Sequence, residues 1–349
     1  MAKMLMKGNE AIAEAALRAG CRLFFGYPIT PQTELSEYMA KHMPKVGGLC
    51  LQAESEISAI NMVLGASASG ARAITSSSSP GISLKSEGIS YIAGSDLPCV
   101  IVNVQRGGPG LGGIQPAQSD YNQATKGVGH GDLRLFVIAP ASVQEMASLT
   151  MLAFDVADLY RMPAMVLADG ALGQMMEPVD VEERAKRKLP EKTWAASGHG
   201  NARAQNVINS LYIDPPELER VVKERFLKYK KLEEDEVISE EYLTGDAEIV
   251  VVSYGITARV AKSAVKAARA KGIKAGLFRC VTLYPFPSRE LNALASTAKR
   301  FISAEMNMGQ MINDVKVAID CKIPVTHYGR TGGVIPTVEE LTAEILRLS

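Results

Sequence analysis

The sequence has few of the residues that usually bind metals, and they are scattered. Its five cysteines, Cys21, Cys50, Cys99, Cys280 and Cys321, form no CxxC pair, and its four histidines do not cluster with them. That excludes a structural zinc or an iron–sulfur cluster held by this chain alone. Most of the cysteines stand in or beside apolar runs, as small core residues do, and a reduced cytoplasm is the expected location. Charge of either sign is not in excess: Lys+Arg and Asp+Glu both total 38. No basic surplus points to nucleic acid or a membrane surface. A near-zero net charge gives little self-repulsion and suits a chain that buries surface in an oligomer. The apolar stretches of "MAKMLMKGNEAIAEAALRAG" are too short and interrupted for a signal peptide or a membrane span, and the segment reads as running directly into a helix. Walker A, HExxH and GxSxG motifs are absent.

What is present is a soluble-protein composition, 47% hydrophobic and 22% charged, at a length that suits two domains. Over the first ~170 residues apolar runs alternate with helical patterns. "CRLFFGYPI", "GGLCLQA", "ARAITSS", "LPCVIVNV", "LRLFVIAP" and "PAMVLAD" read as strands. Helices are expected from Pro31 to Lys41, across 51–66, from a cap at Ser79 with Pro80 first in the helix, and from Ser142 to Tyr160. Strands apolar on both faces and alternating with helices predict a parallel sheet covered on both sides. Residues 181–245 read as a polar linker with a charged connecting helix. Alternation then resumes over 246–349, from "AEIVVVSYG" to "IPVTHYG", as a second, smaller α/β domain; "KAGLFRCVTLYPFP" reads as one strand.

The stretch "LQAESEISAINMVLGA" raises the chemical question. On a helical wheel Ala53, Glu56, Ile57, Ile60, Val63, Leu64 and Ser67 share one stripe, and Glu56 is its only charge. Glu54 falls outside it and reads as a solvated first-turn acid. A carboxylate in an apolar stripe costs several kcal/mol unless it is paired or protonated. Either Glu56 caps a frayed first turn, or it works on something bound there. Ligands of open parallel sheets sit beyond the carboxyl ends of the strands. Four distinctive segments fall there: "GYPITPQT", the helix start at Glu56, "TSSSSPG" and "QRGGPGLGG". Arg106 follows an apolar strand at that edge and suits a carboxylate ligand or a structural salt bridge. Gly108, Gly110 and Gly113 satisfy GxGxxG, but they lead into a long Gly- and Pro-containing stretch rather than a helix, so they are not a dinucleotide fingerprint.

"FGYPITPQT", "QAESEISAINMVLGASASGARAITSSSSPGISL", "QRGGPGLGG" and "SAEMNMGQ", in this order along nearly the whole chain, resemble the alpha-type subunit of the 2-oxoacid:ferredoxin oxidoreductases. The resemblance is greatest to the 2-oxoisovalerate (branched-chain) type, with the 2-oxoglutarate type close behind. It implies an α/β fold in two parts: a pyrimidine-type thiamine diphosphate-binding parallel-sheet domain (1–180) and a transketolase C-terminal-like domain (246–349). The implied reaction is CoA-dependent oxidative decarboxylation of a 2-oxoacid to acyl-CoA and CO2, with ferredoxin as acceptor. The resemblance casts Glu56 as the carboxyl group that bonds the cofactor's aminopyrimidine ring and promotes its imino tautomer, priming the thiazolium carbon for attack on the 2-oxo group. It gives Thr30 a contact to substrate and cofactor, Arg106 the substrate carboxylate, and Tyr27, Pro28, Ile29 and Ser79 places around the cofactor. A GDG segment, which would bind Mg2+ and diphosphate, is missing. The cofactor site is therefore expected to be completed by a beta-type subunit carrying Mg2+ and a [4Fe–4S] cluster, with gamma- and ferredoxin-like subunits beyond it. The alternative is a scaffold subunit whose crevice is vestigial.

Overall fold

The computed structural model describes residues 3–181 and 187–349; residues 182–186, part of the expected linker, lie outside the described residues. The chain opens with a strand rather than a helix. β1 (Met4–Lys7) precedes α1 (Gly8–Arg18), and it pairs antiparallel with β8 (Met176–Val179) at the end of the first half. Between them run β2 (Leu23–Gly26), α2 (Thr33–His42), β3 (Leu49–Gln52), α3 (Glu56–Ala68), β4 (Ala73–Ser77) and α4 (Ser79–Gly94). These are followed by β5 (Cys99–Gln105), β6 (Phe136–Ile138), α5 (Val143–Tyr160), β7 (Pro163–Asp169) and α6 (Gly170–Gln174). The second half contains α7 (Pro215–Asp235), β9 (Ser239–Tyr242), β10 (Ile249–Ser253), α8 (Gly255–Ala270), β11 (Ala275–Cys280) and β12 (Thr282–Tyr284). It closes with α9 (Ser288–Leu294), β13 (Arg300–Glu305), α10 (Ile312–Ala318), β14 (Val325–Gly329) and α11 (Val338–Arg347).

Seven strands form the larger sheet in the order β12-β6-β7-β5-β4-β2-β3, parallel except for β12. All seven residues of β5 and of β7 are buried, as their unbroken apolar runs require of central strands covered on both faces. Five strands form the smaller sheet, in the order β14-β13-β10-β11-β9, with β9 antiparallel at one edge. The expected single strand over "KAGLFRCVTLYPFP" is two: β11 stays in the smaller sheet while β12 crosses to pair with β6 of the larger one. β9 lies inside the stretch read as linker because its partly exposed "SEEY" carries neither an apolar run nor an alternating pattern.

Three helix starts differ from expectation for local reasons. α2 starts at Thr33, two residues beyond Pro31. α3 begins at Glu56, five residues later than the wheel suggested, because Ser55 caps it by accepting from the Ser58 amide while Leu49–Gln52 joins the sheet. The buried face rotates accordingly: Ala59 and Ala66 turn inward while Ile57 is 49% exposed. Ser78 takes the N-cap position of α4, one residue earlier than expected and without a capping hydrogen bond from its side chain, with Pro80 still in the first turn. No helix among the described residues is long and apolar enough to cross a membrane.

Candidate active site

The four segments singled out in the sequence come from β2, β3, β4 and β5, which are neighbours in the sheet in the order β3-β2-β4-β5. Their carboxyl ends therefore open side by side. The loop after β2 carries Tyr27, Pro28, Ile29 and Thr30; all but half-buried Ile29 are exposed. It is held from below. Buried Gln32 donates to the Tyr27 carbonyl (3.4 Å) and accepts from the Ser76 (2.6 Å) and Ser36 (3.0 Å) hydroxyls. The Asn9 amide of α1 donates to the Pro31 carbonyl (2.8 Å).

Glu56 is the first residue of α3 and is 6% exposed, so the charge in the apolar stripe is real. Among the described residues no group donates a hydrogen bond to its carboxylate, which rules out the capping explanation. The first turn of α4 closes over it. A Cβ on Gly81 would lie 2.6 Å from Glu56 Oε1 and 2.1 Å from Ser77 Oγ, so only glycine permits this approach. The buried hydroxyls of Ser77 and Ser78 have no hydrogen-bond partner among the described residues. Glu54, by contrast, is exposed just ahead of α3 and accepts a hydrogen bond from the Ser58 hydroxyl.

Ser79 is half-buried, and its hydroxyl is spent within the protein. It donates to Asp120 Oδ2 (2.6 Å) and accepts from the Arg106 amide (3.1 Å). Burial raises the Asp120 carboxyl above its ordinary range, against the pull of Ser79 and Asn103. Arg106 is half-buried and donates through Nη1 to the Thr30 carbonyl (2.9 Å) and through Nη2 to the Leu111 carbonyl (3.3 Å). It makes no salt bridge among the described residues, and its buried Nε has no partner. The structural ion-pair alternative for Arg106 therefore falls away. The guanidinium instead bridges two loops at the strand edge and keeps an uncompensated positive charge there. The glycine run after it folds back on itself, with Gly107 N on Gln115 O and Gly113 N on Gly107 O, both 2.9 Å. Gly112 has φ 57°, and a Cβ there would meet the Gly107 carbonyl at 1.8 Å. No helix starts from these glycines, so the GxGxxG match is a loop.

Several residues that matter here escaped the sequence reading. Lys85 of α4 is wholly buried behind Glu56; its place on one helical face with Ile82, Ile89 and Ile92 was a readable signal. Gln118 is a junction between the two sheets. Its side chain donates to the Tyr254 carbonyl (2.9 Å) and accepts from Thr257 Oγ1 (2.7 Å) and the Met306 amide (3.0 Å). "SAEMNMGQ" supplies the other side of that junction. Asn307 donates to the Gln118 carbonyl (2.8 Å), and fully buried Glu305 accepts from the amides of Gln310, Met311 and Ile312. His130 is exposed and stacks edge-on to Tyr91 on the far side of α4.

Comparison with known proteins agrees with this arrangement. Residues 14–239 match the thiamine diphosphate-binding region of the pyruvate flavodoxin/ferredoxin oxidoreductases, and residues 247–341 match core domain II of pyruvate:ferredoxin oxidoreductase. The chain is 50% identical over 345 residues to ketoisovalerate oxidoreductase subunit VorB of Methanothermobacter thermautotrophicus, covering 99% of this chain and 97% of that protein. It is 39% identical to 2-oxoglutarate synthase subunit KorA of Methanocaldococcus jannaschii, covering 98% of each. Among solved structures it superimposes on the 2-oxoglutarate:ferredoxin oxidoreductase of Magnetococcus marinus with a TM-score of 0.88 at 29% identity, covering 99% of this chain but only 65% of that one. A split-gene transketolase shares the fold at a TM-score of 0.62 and 14% identity, with 98% and 97% of the two chains covered.

Fold and site together define a thiamine-dependent type of α/β protein. The chain belongs to the family of 2-oxoacid:ferredoxin oxidoreductases, as an alpha-type subunit.

Proposed function

We propose that this chain holds the aminopyrimidine end of thiamine diphosphate in a CoA-dependent oxidoreductase that decarboxylates a branched-chain 2-oxoacid, 2-oxoisovalerate, and reduces ferredoxin. The observation that carries the catalytic part is Glu56: a buried carboxylate with no hydrogen-bond donor among the described residues, against a glycine that lets the start of α4 approach it closely. Such an oxygen needs a donor from elsewhere, and a ring nitrogen that shares a proton meets that need. The unpartnered Ser77 and Ser78 hydroxyls are further groups suited to a polar ligand. When bound, the cofactor supplies the electron sink for decarboxylation.

The chain's own contributions follow from the geometry. Glu56 holds a proton at the ring nitrogen in a low-dielectric pocket. Tyr27, Pro28 and Ile29 form one wall, with Thr30 at its end. Arg106, with no carboxylate partner, receives the carboxylate of the 2-oxoacid beside Thr30. Ser79 acts through the protein by locking the start of α4 to the end of β5. The 50% identity to a ketoisovalerate subunit, against 39% to a 2-oxoglutarate subunit, favours the branched-chain substrate.

A beta-type partner would bring Mg2+, the diphosphate contacts and a [4Fe–4S] cluster, with gamma- and ferredoxin-like subunits, CoA and ferredoxin completing the reaction in the cytoplasm. Exposed apolar side chains around the crevice, Ile57, Leu84, Leu111 and Ile114, suit contact with such a partner. The test is made on the assembled complex. 2-Oxoisovalerate should give the highest kcat/KM in a panel of 2-oxoacids, and Glu56→Gln should lower 2-oxoacid-dependent ferredoxin reduction at least a hundredfold. A preference for 2-oxoglutarate would overturn the substrate, and near-normal turnover in Glu56→Gln would overturn the catalytic reading.

A further inference from the structure

Lys85 is a second charged group in the wall of this site, and its burial is complete. Among the described residues its ammonium makes one hydrogen bond, to Thr75 Oγ1 of β4 (2.8 Å). A fully buried lysine with one neutral partner is costly unless a counter-charge stands close by. Packing between α3 and α4 identifies that counter-charge. Glu56 and Ile60 are one turn apart on α3; Gly81, Lys85 and Gly88 follow one another along a single face of α4. Gly81 lies against Glu56, and a Cβ on Gly88 would strike Ile60 Cγ2 at 2.4 Å. The two glycines let the helices approach this closely, and Lys85 lies between them, facing the same helix. Glu56 is the carboxylate that acts on Lys85 through space, beyond salt-bridge distance and against the cost of burial, while the nearby Cys99 thiol of β5 is pushed up to about 12 by its own burial and is neutral.

We propose that Lys85 is a positioning residue for Glu56: the two face each other as a pair across the α3–α4 contact without a direct hydrogen bond, and Lys85 fixes the direction of the Glu56 carboxylate before the cofactor arrives. Thr75 anchors the ammonium from the sheet side, so the carboxylate is steered toward the strand edge. The inference rests on the proposed function only for its catalytic consequence; the pair itself is a property of this chain alone.

A double-mutant cycle on the full chain reads the pair without any cofactor. Glu56→Gln should shift the melting temperature by several degrees more in the wild-type background than in Lys85→Met, because the lysine is left without its counter-charge only in the first case. Equal shifts in both backgrounds would overturn the pair. Should Lys85→Met fail to yield folded chain, Lys85→Gln serves in the same cycle. In the assembled complex Lys85→Met should lower kcat at least tenfold while KM for the 2-oxoacid stays within twofold, since the lysine reaches the substrate only through Glu56. An unchanged kcat would overturn the positioning role. If the cycle shows coupling while Glu56→Gln keeps normal turnover, the pair stands and the proposed function fails; the two outcomes are thus separable.

Discussion

At the scale of single residues, the site is a set of polar groups whose partners are deliberately few. Arg106 has carbonyl partners and no carboxylate, so its truncation should act on substrate binding. We expect Arg106→Met to raise KM for the 2-oxoacid at least tenfold, with thiamine diphosphate affinity of the complex unchanged, as measured by steady-state kinetics and by titration of the cofactor. Gly81→Ala should be more damaging than its size suggests, because the methyl group collides with Glu56 and Ser77 together. Overpacking of this kind costs about 1–3 kcal/mol, and here it also displaces the carboxylate; a fall in kcat beyond tenfold with retained fold is the expected reading. Lys85 gives a pH signature. Burial lowers its folded-state value from 10.5 to about 8. Between those limits the unfolded chain binds more protons, so stability rises with pH; the penalty is full below about 8 and gone above 10.5. Melting curves should show wild type gaining on Lys85→Met across that window, by about 3 kcal/mol at most; a constant gap would contradict it. The charge of Glu56 in an apolar stripe was legible from the sequence, as was the place of Arg106 at the strand edge beside its glycines; its two carbonyl partners, Thr30 and Leu111, were not. Lys85 was missed, because one lysine on a helix normally reads as solvated, although its place among Ile82, Ile89 and Ile92 and the glycines on either side of it mark that face as packed.

At the scale of elements, the helix–helix contact of α3 with α4 sets the geometry of the crevice floor. Gly88 permits it by leaving room for Ile60. Gly88→Ala should lower the melting temperature by several degrees, equivalent to about 1–3 kcal/mol, and Ile60→Ala added to it should recover part of that loss. The cores of the long elements could be read from periodicity, since β5, β7 and α5 appear within a residue or two of the expected limits. The starts of α3 and α4 could not: α3 depends on which of several adjacent polar residues accepts a backbone amide, and α4 begins among four consecutive serines none of which caps it through its side chain. The short strands β1, β9 and β12 were missed for a different reason. Each is four residues or fewer and owes its existence to a distant partner rather than to its own pattern.

At the scale of the whole molecule, the second half supports the first through Gln118, Asn307 and Glu305. Glu305 accepts three backbone amides and the Ser303 hydroxyl without any exposure to water. Glu305→Gln places an amide group against those donors. It should cost about 2–3 kcal/mol in urea unfolding, given the strength of hydrogen bonds to a charged acceptor. Because Gln310, held by the same carboxylate, also reaches the Asn122 amide and the Ser119 carbonyl, the loop after Arg106 should loosen with it.

The crossing of β12 into the larger sheet has a practical meaning for anyone who would dissect this chain. Thr282 and Tyr284 cover the open flank of β6, and Val281 accepts from the Ala139 amide beside it. A fragment ending near residue 245 would shed that cover and expose the bare backbone of Phe136–Ile138 to any passing strand. Fragments of that length should therefore clump in solution, and adding back the remainder in trans should restore dispersed material.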